Sequence, residues 1–269
     1  MPRLRPLQIV VYLLVAFLYL PVIIVVIFAF NGGANLSWPL QGLSFRWIVQ
    51  IFSDAAFRSA FAASAEASVA VAVLSVAIGV AAAMLFTRSS DPFSRSLQAL
   101  AVLPAMMPPL FIGAALFTTM AYAGIAPGFP MIVFGQLIIT IPFALAVIVA
   151  RLRQFDIDLE AAARDLGAGP AQTLWRITLP IIAPTLVGAA LLAFAFSFDE
   201  VMITNFTSGM TATLPIFIFS RLHRTIDPSV NAVATLLLVM PWVALALAAP
   251  FVGGGRSIFA RSAATETEE

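Results

Sequence analysis

Residues 158–180 read DLEAAARDLGAGPAQTLWRITLP, a charged and polar island between long apolar runs. Phe155, Leu159, Ala162, Ala163 and Leu166 recur at i, i+4, i+7, i+8 and i+11, the stripe of a helix. Asp156 is placed to cap that helix, and Glu160 with Arg164 makes a favourable i,i+4 pair. Gly167 fits a C-terminal stop, and Pro170 fits the first turn of a second short helix. This second helix carries Leu174, Trp175 and Ile177 and is expected to break at Pro180. The small face Ala161-Ala162-Ala163 permits close approach of another surface. Between two membrane spans, such a helix–turn–helix reads as a docking surface for a partner in the aqueous phase. The alternative is an interfacial helix lying on its own membrane.

Outward from the island the chain is apolar. Of 269 residues, 61% are hydrophobic and 10% charged, and the mean hydropathy is +1.02. A soluble domain carries about 25% charged residues. The composition therefore predicts an all-α polytopic membrane protein. A net charge of +1 leaves no nucleic-acid signature. All fourteen basic residues are Arg. With no Cys and a single His, His223, disulfides, thiol catalysis and a His/Cys metal site are excluded. The N-terminal MPRLRP precedes an apolar run without a cleavage site and is read as a retained span.

A span needs about 20 apolar residues. Six segments qualify: 7–30, 61–86, 97–122, 129–150, about 181–205 and about 231–252. Pro21, Pro104, Pro108, Pro109, Pro142, Pro184 and Pro241 lie in or beside them, where kinks are expected. With the N-terminus inside, Arg3, Arg5, Arg88, Arg95, Arg151, Arg153, Arg164, Arg176, Arg256 and Arg261 are cytoplasmic. Arg46, Arg58, Arg221 and Arg224 are outside, so both termini and the island are placed in the cytoplasm. Residues 1–56 then form the first span and an external loop. Residues 57–252 form a core containing the loop 156–180, and 253–269 a polar cytoplasmic tail. Trp38 and Trp47 in the external loop suit a membrane interface. No internal repeat is evident.

The island resembles the "EAA" loop of bacterial ABC-importer permeases: Glu-Ala-Ala, three residues, Gly, nine residues, Ile-x-Leu-Pro. Gly167, Ile177, Leu179 and Pro180 fit that spacing, and Ala162 and Ala163 match the two alanines. Counted back from Gly167, the motif glutamate falls on Ala161, and Glu160 stands one residue early. The chain is also similar, from the first span to Leu238, to the second permease of spermidine/putrescine importers. Tyr19-Leu20-Pro21, Ser197-Phe198-Asp199-Glu200-Val201, Ser208-Gly209, Leu214-Pro215 and Pro228-Ser229-Val230-Asn231-Ala232 carry that likeness.

The resemblance implies a type I ABC-importer permease (MetI-like) fold of six transmembrane helices in a bacterial inner membrane. It implies a second permease subunit, two ATPase subunits that use ATP, and an external solute-binding protein. This chain would bind no cofactor itself. Glu160, Ala161, Ala162, Ala163, Asp165, Gly167, Ile177, Leu179 and Pro180 would form the ATPase-coupling segment. The solute would be a polyamine, with an amino-acid derivative, an aminophosphonate or an opine as alternatives. The chain has no GxxxxGK[ST] phosphate loop, so it is not expected to hydrolyse ATP.

Asp199 and Glu200 are the expected substrate-path residues. Asp199 lies about fifteen residues beyond Pro184, or roughly 22 Å along a helix, in the outer half of the membrane or at its edge. Ionisable groups at such depth face a cavity or a partner. Adjacent helical residues point about 100° apart, so the two carboxylates do not share a proton: one would face the path and the other a helix contact, the alternative being a solvated helix end. Glu66 is expected in the first turn of the second span, in a capping or subunit-contact role. Arg221, His223 and Arg224 read as an external interfacial segment, with a proton relay through His223 as a minor alternative.

Two other functions fit the residues less well. An intramembrane protease would pair Ser208 with His223, but the rhomboid-like GxSG pattern needs Gly where Phe206 stands. An ion-coupled carrier would leave the cytoplasmic island unexplained.

Overall fold

A computed structural model describes residues 6–34, 36–89, 91–223 and 228–265, with side chains described to residue 250 apart from 6, 7 and 95. Its helices in chain order are α1 (Pro6–Ala29), α2 (Arg46–Ser53), α3 (Ala55–Arg88), α4 (Pro92–Val102), α5 (Pro109–Ala123), α6 (Phe129–Arg153), α7 (Asp158–Asp165), α8 (Pro170–Thr173), α9 (Leu179–Phe198), α10 (Met202–Thr207), α11 (Leu214–Leu222) and α12 (Pro228–Thr265). A 3-10 turn, Leu103–Met106, follows α4, and a π turn, Leu174–Thr178, joins α8 to α9. The described residues hold no strand beyond one isolated bridge, Asn31 with Leu43. Among the described residues, five helices are long and apolar enough to cross a membrane, six if the bent pair α4–α5 counts as one span. The all-α, multi-span architecture expected from composition is therefore the observed one.

Four spans differ from their sequence outlines. The second begins at Ala55, because Asp54 caps it: Asp54 Oδ1 accepts from Ala56 N at 2.9 Å and Phe57 N at 3.4 Å. Glu66 is therefore in the body of the helix rather than its first turn, and it is exposed there. The third is not one straight helix. Met107 and Pro108 are extended, with ψ of 139° and 130°, and the two halves meet at 100°. A residue preceding proline is pushed out of the α region, and Met107-Pro108-Pro109 applies that restriction twice. The fifth ends at Phe198 instead of running to 205.

Pro180 does not break its helix. Backbone helix runs without a gap from Pro170 to Phe198. A proline removes one i→i−4 bond and crowds the carbonyl below it. The widened π turn immediately before Leu179 accommodates both effects. The sixth-span helix likewise continues through most of the expected tail, to Thr265.

The chain divides into two compact units. The first comprises 1–61 and 214–240. Here the loop after α1 folds on buried Asn31, whose Oδ1 accepts from Gly33 N and Gln41 N at 3.2 and 3.0 Å. The Trp47 indole donates to Asn31 O at 2.8 Å. Buried Phe57 packs edge-on against Phe52 and Phe217. Arg221 pairs with Asp54 at 2.9 Å. His223 is exposed with Nδ1 2.8 Å from Phe219 O, and Arg224 lies outside the described residues. The second unit comprises 62–213 and 241–269. Its core is Ala83 of α3, Leu145, Ile148 and Leu152 of α6, and Ile182 and Ala189 of α9.

Candidate functional site

The second unit carries both groups of expected site residues. At the end of α9 the helix stops at Asp199 and a short helix, α10, begins three residues later. The stop has a polar cause. Glu200 accepts from the N–H groups of Ile203 and Thr204 at 2.8 Å each, and from the Thr204 hydroxyl at 2.8 Å. Its carboxylate thus caps α10 and satisfies donors that a helix start leaves open. Glu200 is only 7% exposed.

Behind the break lies a buried hydrogen-bonded ladder. The Gln136 amide N–H donates to Thr204 Oγ1 at 2.9 Å. Gln136 Oε1 accepts from the Ser197 hydroxyl, and Ser197 Oγ is 3.2 Å from Ser68 Oγ. Thr140 Oγ1 donates to Gln136 O at 2.9 Å and lies 2.8 Å from Ser75 Oγ. The ladder ties α3, α6, α9 and α10 together. Unpaired polar groups in a water-free interior cost several kcal/mol each by order of magnitude, so a satisfied ladder holds this arrangement in place.

α10 sits in a seat made by missing side chains. A Cβ on Gly113 of α5 would lie 2.7 Å from Phe206 Cδ2 and 3.1 Å from Ile203 Cα. One on Gly135 of α6 would lie 2.6 Å from Ile203 Cγ2. The outcome for the expected pair is asymmetric. Glu200 is committed to the fold, whereas Asp199 is exposed, and no hydrogen bond or ion pair engages its carboxylate among the described residues. Of the two expected path residues, Glu200 is thus the one engaged with its own chain and Asp199 the exposed one. The sequence does not single out Gln136, Ser68 or Thr204, and marks Ser197 only as part of a family-like stretch. Their signal was a polar residue within an apolar span, weak for hydroxyls and stronger for Gln136.

The coupling segment is at the opposite end of α9. The Asp156 carboxylate accepts from Asp158 N at 3.0 Å, ahead of α7. α7 ends in a Schellman arrangement: Ala168 N donates to Ala163 O at 3.0 Å and Gly167 N to Arg164 O at 2.9 Å. Gly167 has φ of +86°, the left-handed region where a Cβ is disfavoured. The expected helical stripe splits. Phe155 and Ala163 are buried, while Leu159, Ala162 and Leu166 are exposed, Leu166 by 90%. Asp158, Ala161 and Asp165 are exposed as well, Ile177 and Leu179 are half-buried, and Pro180 is exposed.

Glu160 faces inward. Its side chain does not pair with the carboxylate's expected partner, Arg164, whose Nε instead donates to Glu160 O at 3.2 Å. Arg88 Nη2 meets Glu160 Oε1 at 2.7 Å, and the Thr178 hydroxyl donates to the same oxygen at 2.8 Å. Burial raises the Glu160 pKa, but the hydrogen bonds from Arg88 and Thr178 and the charges of Arg88 and Arg164 outweigh it. The carboxyl is held below its ordinary value.

A family profile described as "Binding-protein-dependent transport system inner membrane component" matches residues 75–254. The putrescine transport system permease protein PotI of Escherichia coli (strain K12) is 34% identical over 247 residues, 87% of this chain and 86% of PotI. The spermidine/putrescine transport system permease protein PotC of Haemophilus influenzae is 29% identical, over 85% of this chain and 89% of PotC. Among solved structures, a bacterial ABC transporter involved in import of the acidic polysaccharide alginate superposes with a TM-score of 0.68. The identity is 15%, over 90% of this chain and 93% of that one.

Proposed function

This chain belongs to the family of binding-protein-dependent transport system inner membrane components and is a permease subunit of an ABC importer, and from that premise we propose that it forms half of the path for a polyamine. The observation that carries the reading is the unengaged Asp199 carboxylate at the α9 break, beside a Glu200 that is fully occupied. No Lys or Arg occurs between Arg176 and Arg221 to neutralise it along the chain. In a narrow, partly dehydrated path the effective dielectric falls, so a carboxylate attracts an ammonium group more strongly than in bulk water. A single carboxylate also lets the solute leave again. The names of the relatives, putrescine and spermidine/putrescine permeases, support the same solute class.

α9 is 20 residues long, about 30 Å, which matches the hydrocarbon thickness. Asp199 therefore belongs at one membrane surface and the coupling segment at the other. We place the coupling segment and both termini in the cytoplasm, following the Arg distribution. The partners are a second permease subunit, an ATPase dimer seated on the exposed α7 face, an external solute-binding protein, and lipid. ATP is used by the ATPase partners, and this chain holds no cofactor.

The test is uptake of radiolabelled putrescine and spermidine by the assembled importer in proteoliposomes. Asp199→Asn is expected to lower uptake at least tenfold with ATPase subunits still bound. Wild-type uptake by that variant, or an importer that accepts only anionic solutes, overturns the polyamine assignment.

A further inference from the structure

The structure assigns Glu160 a task other than contact with the ATPase: we propose that it is an internal crossbar linking the coupling helix to the feet of two spans, with Arg88 and Thr178 as its positioning residues. The inference rests on the reading of α7 as the coupling helix.

Three elements meet at one carboxylate oxygen. Glu160 Oε1, on α7, takes Arg88 Nη2 at 2.7 Å and the Thr178 hydroxyl at 2.8 Å. Arg88 is the last residue of α3, and Thr178 the last of the π turn that leads into α9. The Arg88 guanidinium also lies over the Phe155 ring at 5.7 Å, just before the loop into α7. The charges suit their places. A cation at the end of α3 and an anion in the first turn of α7 each complement a helix dipole. Glu160 and Thr178 are buried and the Arg88 side chain is partly exposed, so the contact is screened less than a surface pair.

α7 is joined by short backbone connections to α6 and, through Leu166–Gly169, to the helix that becomes α9. It has no such connection to α3. The Arg88–Glu160 contact is the one side-chain hydrogen bond between α7 and α3 among the described residues. Without it, a displacement of α7 would reach α9 through the backbone but would reach α3 only through apolar packing.

The same two spans are tied again at the other end. Ser68 of α3 and Ser197 of α9 approach within 3.2 Å. Ser68 and Arg88 are separated by about 30 Å of helix, and Thr178 and Ser197 by about 28 Å. The two spans thus form a frame of matched side lengths, closed below by Glu160 and above by the serine pair. Ser197 stands two residues before Asp199. A shift of α7 therefore moves α3 and α9 together and is delivered to the helix break that carries Asp199.

One feature of the crossbar bears on its capacity to move. Arg88 Nε is buried without a hydrogen-bond partner among the described residues. The guanidinium holds Glu160 through one nitrogen, although its fork can present two parallel donors to a carboxylate. The contact therefore has room to tighten when α7 shifts, without a new residue entering.

The experiment uses the complete importer in proteoliposomes and reads solute imported per ATP hydrolysed. Glu160→Gln and Arg88→Gln are expected to keep the ATPase subunits bound while that ratio falls at least fivefold. Thr178→Val, which leaves the ion pair, is expected to lower it about twofold. The exchange Arg88→Glu with Glu160→Arg is expected to recover at least a third of the wild-type ratio. If Glu160→Gln does not reach the membrane, Arg88→Gln and Thr178→Val decide the matter. Ratios in those variants within the error of wild type overturn the proposal. So does loss of ATPase binding in Glu160→Gln but not in Arg88→Gln, which would make Glu160 a docking contact. The underlying coupling reading fails separately, if Ala162→Cys in an otherwise wild-type chain forms no crosslink to the ATPase. If the wild-type importer takes up no polyamine, the solute assignment fails. The crossbar is then read from stimulation of ATP hydrolysis by the binding protein, which the Gln variants are expected to lose and whose retention overturns it.

Discussion

Thr204 gives both its backbone N–H and its hydroxyl to Glu200 Oε2, each at 2.8 Å. Together with the Ile203 N–H on the other oxygen, this makes Glu200 the cap that starts α10. The neighbouring Asp199 takes no part. Two adjacent acids in the sequence therefore have different surroundings, Glu200 buried and bonded and Asp199 exposed. Glu200→Ala is expected to lower thermal stability in detergent by about 2 kcal/mol, the upper range for loss of a helix cap. Its ratio of putrescine to spermidine uptake should stay that of wild type. Asp199→Asn is expected to do the reverse. A changed solute preference in Glu200→Ala at unchanged stability would show that the carboxylate reaches the path.

The seat of α10 predicts a steric effect. Alanine at Gly113 or Gly135 puts a methyl group against Ile203 and Phe206 at distances that real contacts do not sustain. Ile203 is fully buried and cannot withdraw. Each substitution is expected to cost about 1–3 kcal/mol, the usual range for overpacking, measured by thermal unfolding of the purified chain. Gly188→Ala, where a Cβ meets nothing within 4 Å, is the control and should be neutral.

Two glycines two residues apart in the coupling segment should behave differently. Gly167 has φ of +86° and no neighbour within 4 Å of a Cβ, so its requirement is conformational rather than steric. A side chain there costs about 1–2 kcal/mol and distorts the end of α7. Gly167→Val is expected to abolish uptake while the chain still inserts. Gly167→Asn, which tolerates the left-handed region, should retain part of it. Gly169 has φ of −72°, and Gly169→Ala should transport like wild type. Equal effects at 167 and 169 would count against the capping geometry.

The Glu160 carboxyl gives a pH dependence with a definite sign. Its value in the folded chain lies below the ordinary 4.5. The ion pair with Arg88 therefore contributes its full stability above pH 4.5 and loses it as the pH falls through the folded-state value. The stability difference between wild type and Glu160→Gln should be constant from pH 5 to 8 and shrink below 4.5. A difference that changes between pH 6 and 8 would point to another titrating group.

Much of this protein was legible in the chain itself. The long apolar runs required helices, because a backbone surrounded by lipid has no other way to satisfy its polar groups locally. The Gly167 cap could be placed because one residue type dominates a left-handed helix end. The position of Glu160 within its helix was legible, but its partner was not. Arg88 lies 72 residues away in sequence, and a periodic pattern carries no information about contacts at that range. Local spacing instead favoured Arg164. The same holds for Asp199 and Glu200. Composition marked both as unusual in an apolar setting, but only packing decided which carboxylate would be consumed, because the donors of α10 exist only once Thr204 lies against Gln136 and Ile203 sits over Gly135. Sequence determined that the fold would be a set of apolar helices with a polar segment between two of them. Tertiary structure decided which polar groups hold those helices together and which remain free, since a buried group's role depends on partners that the chain brings to it only on folding.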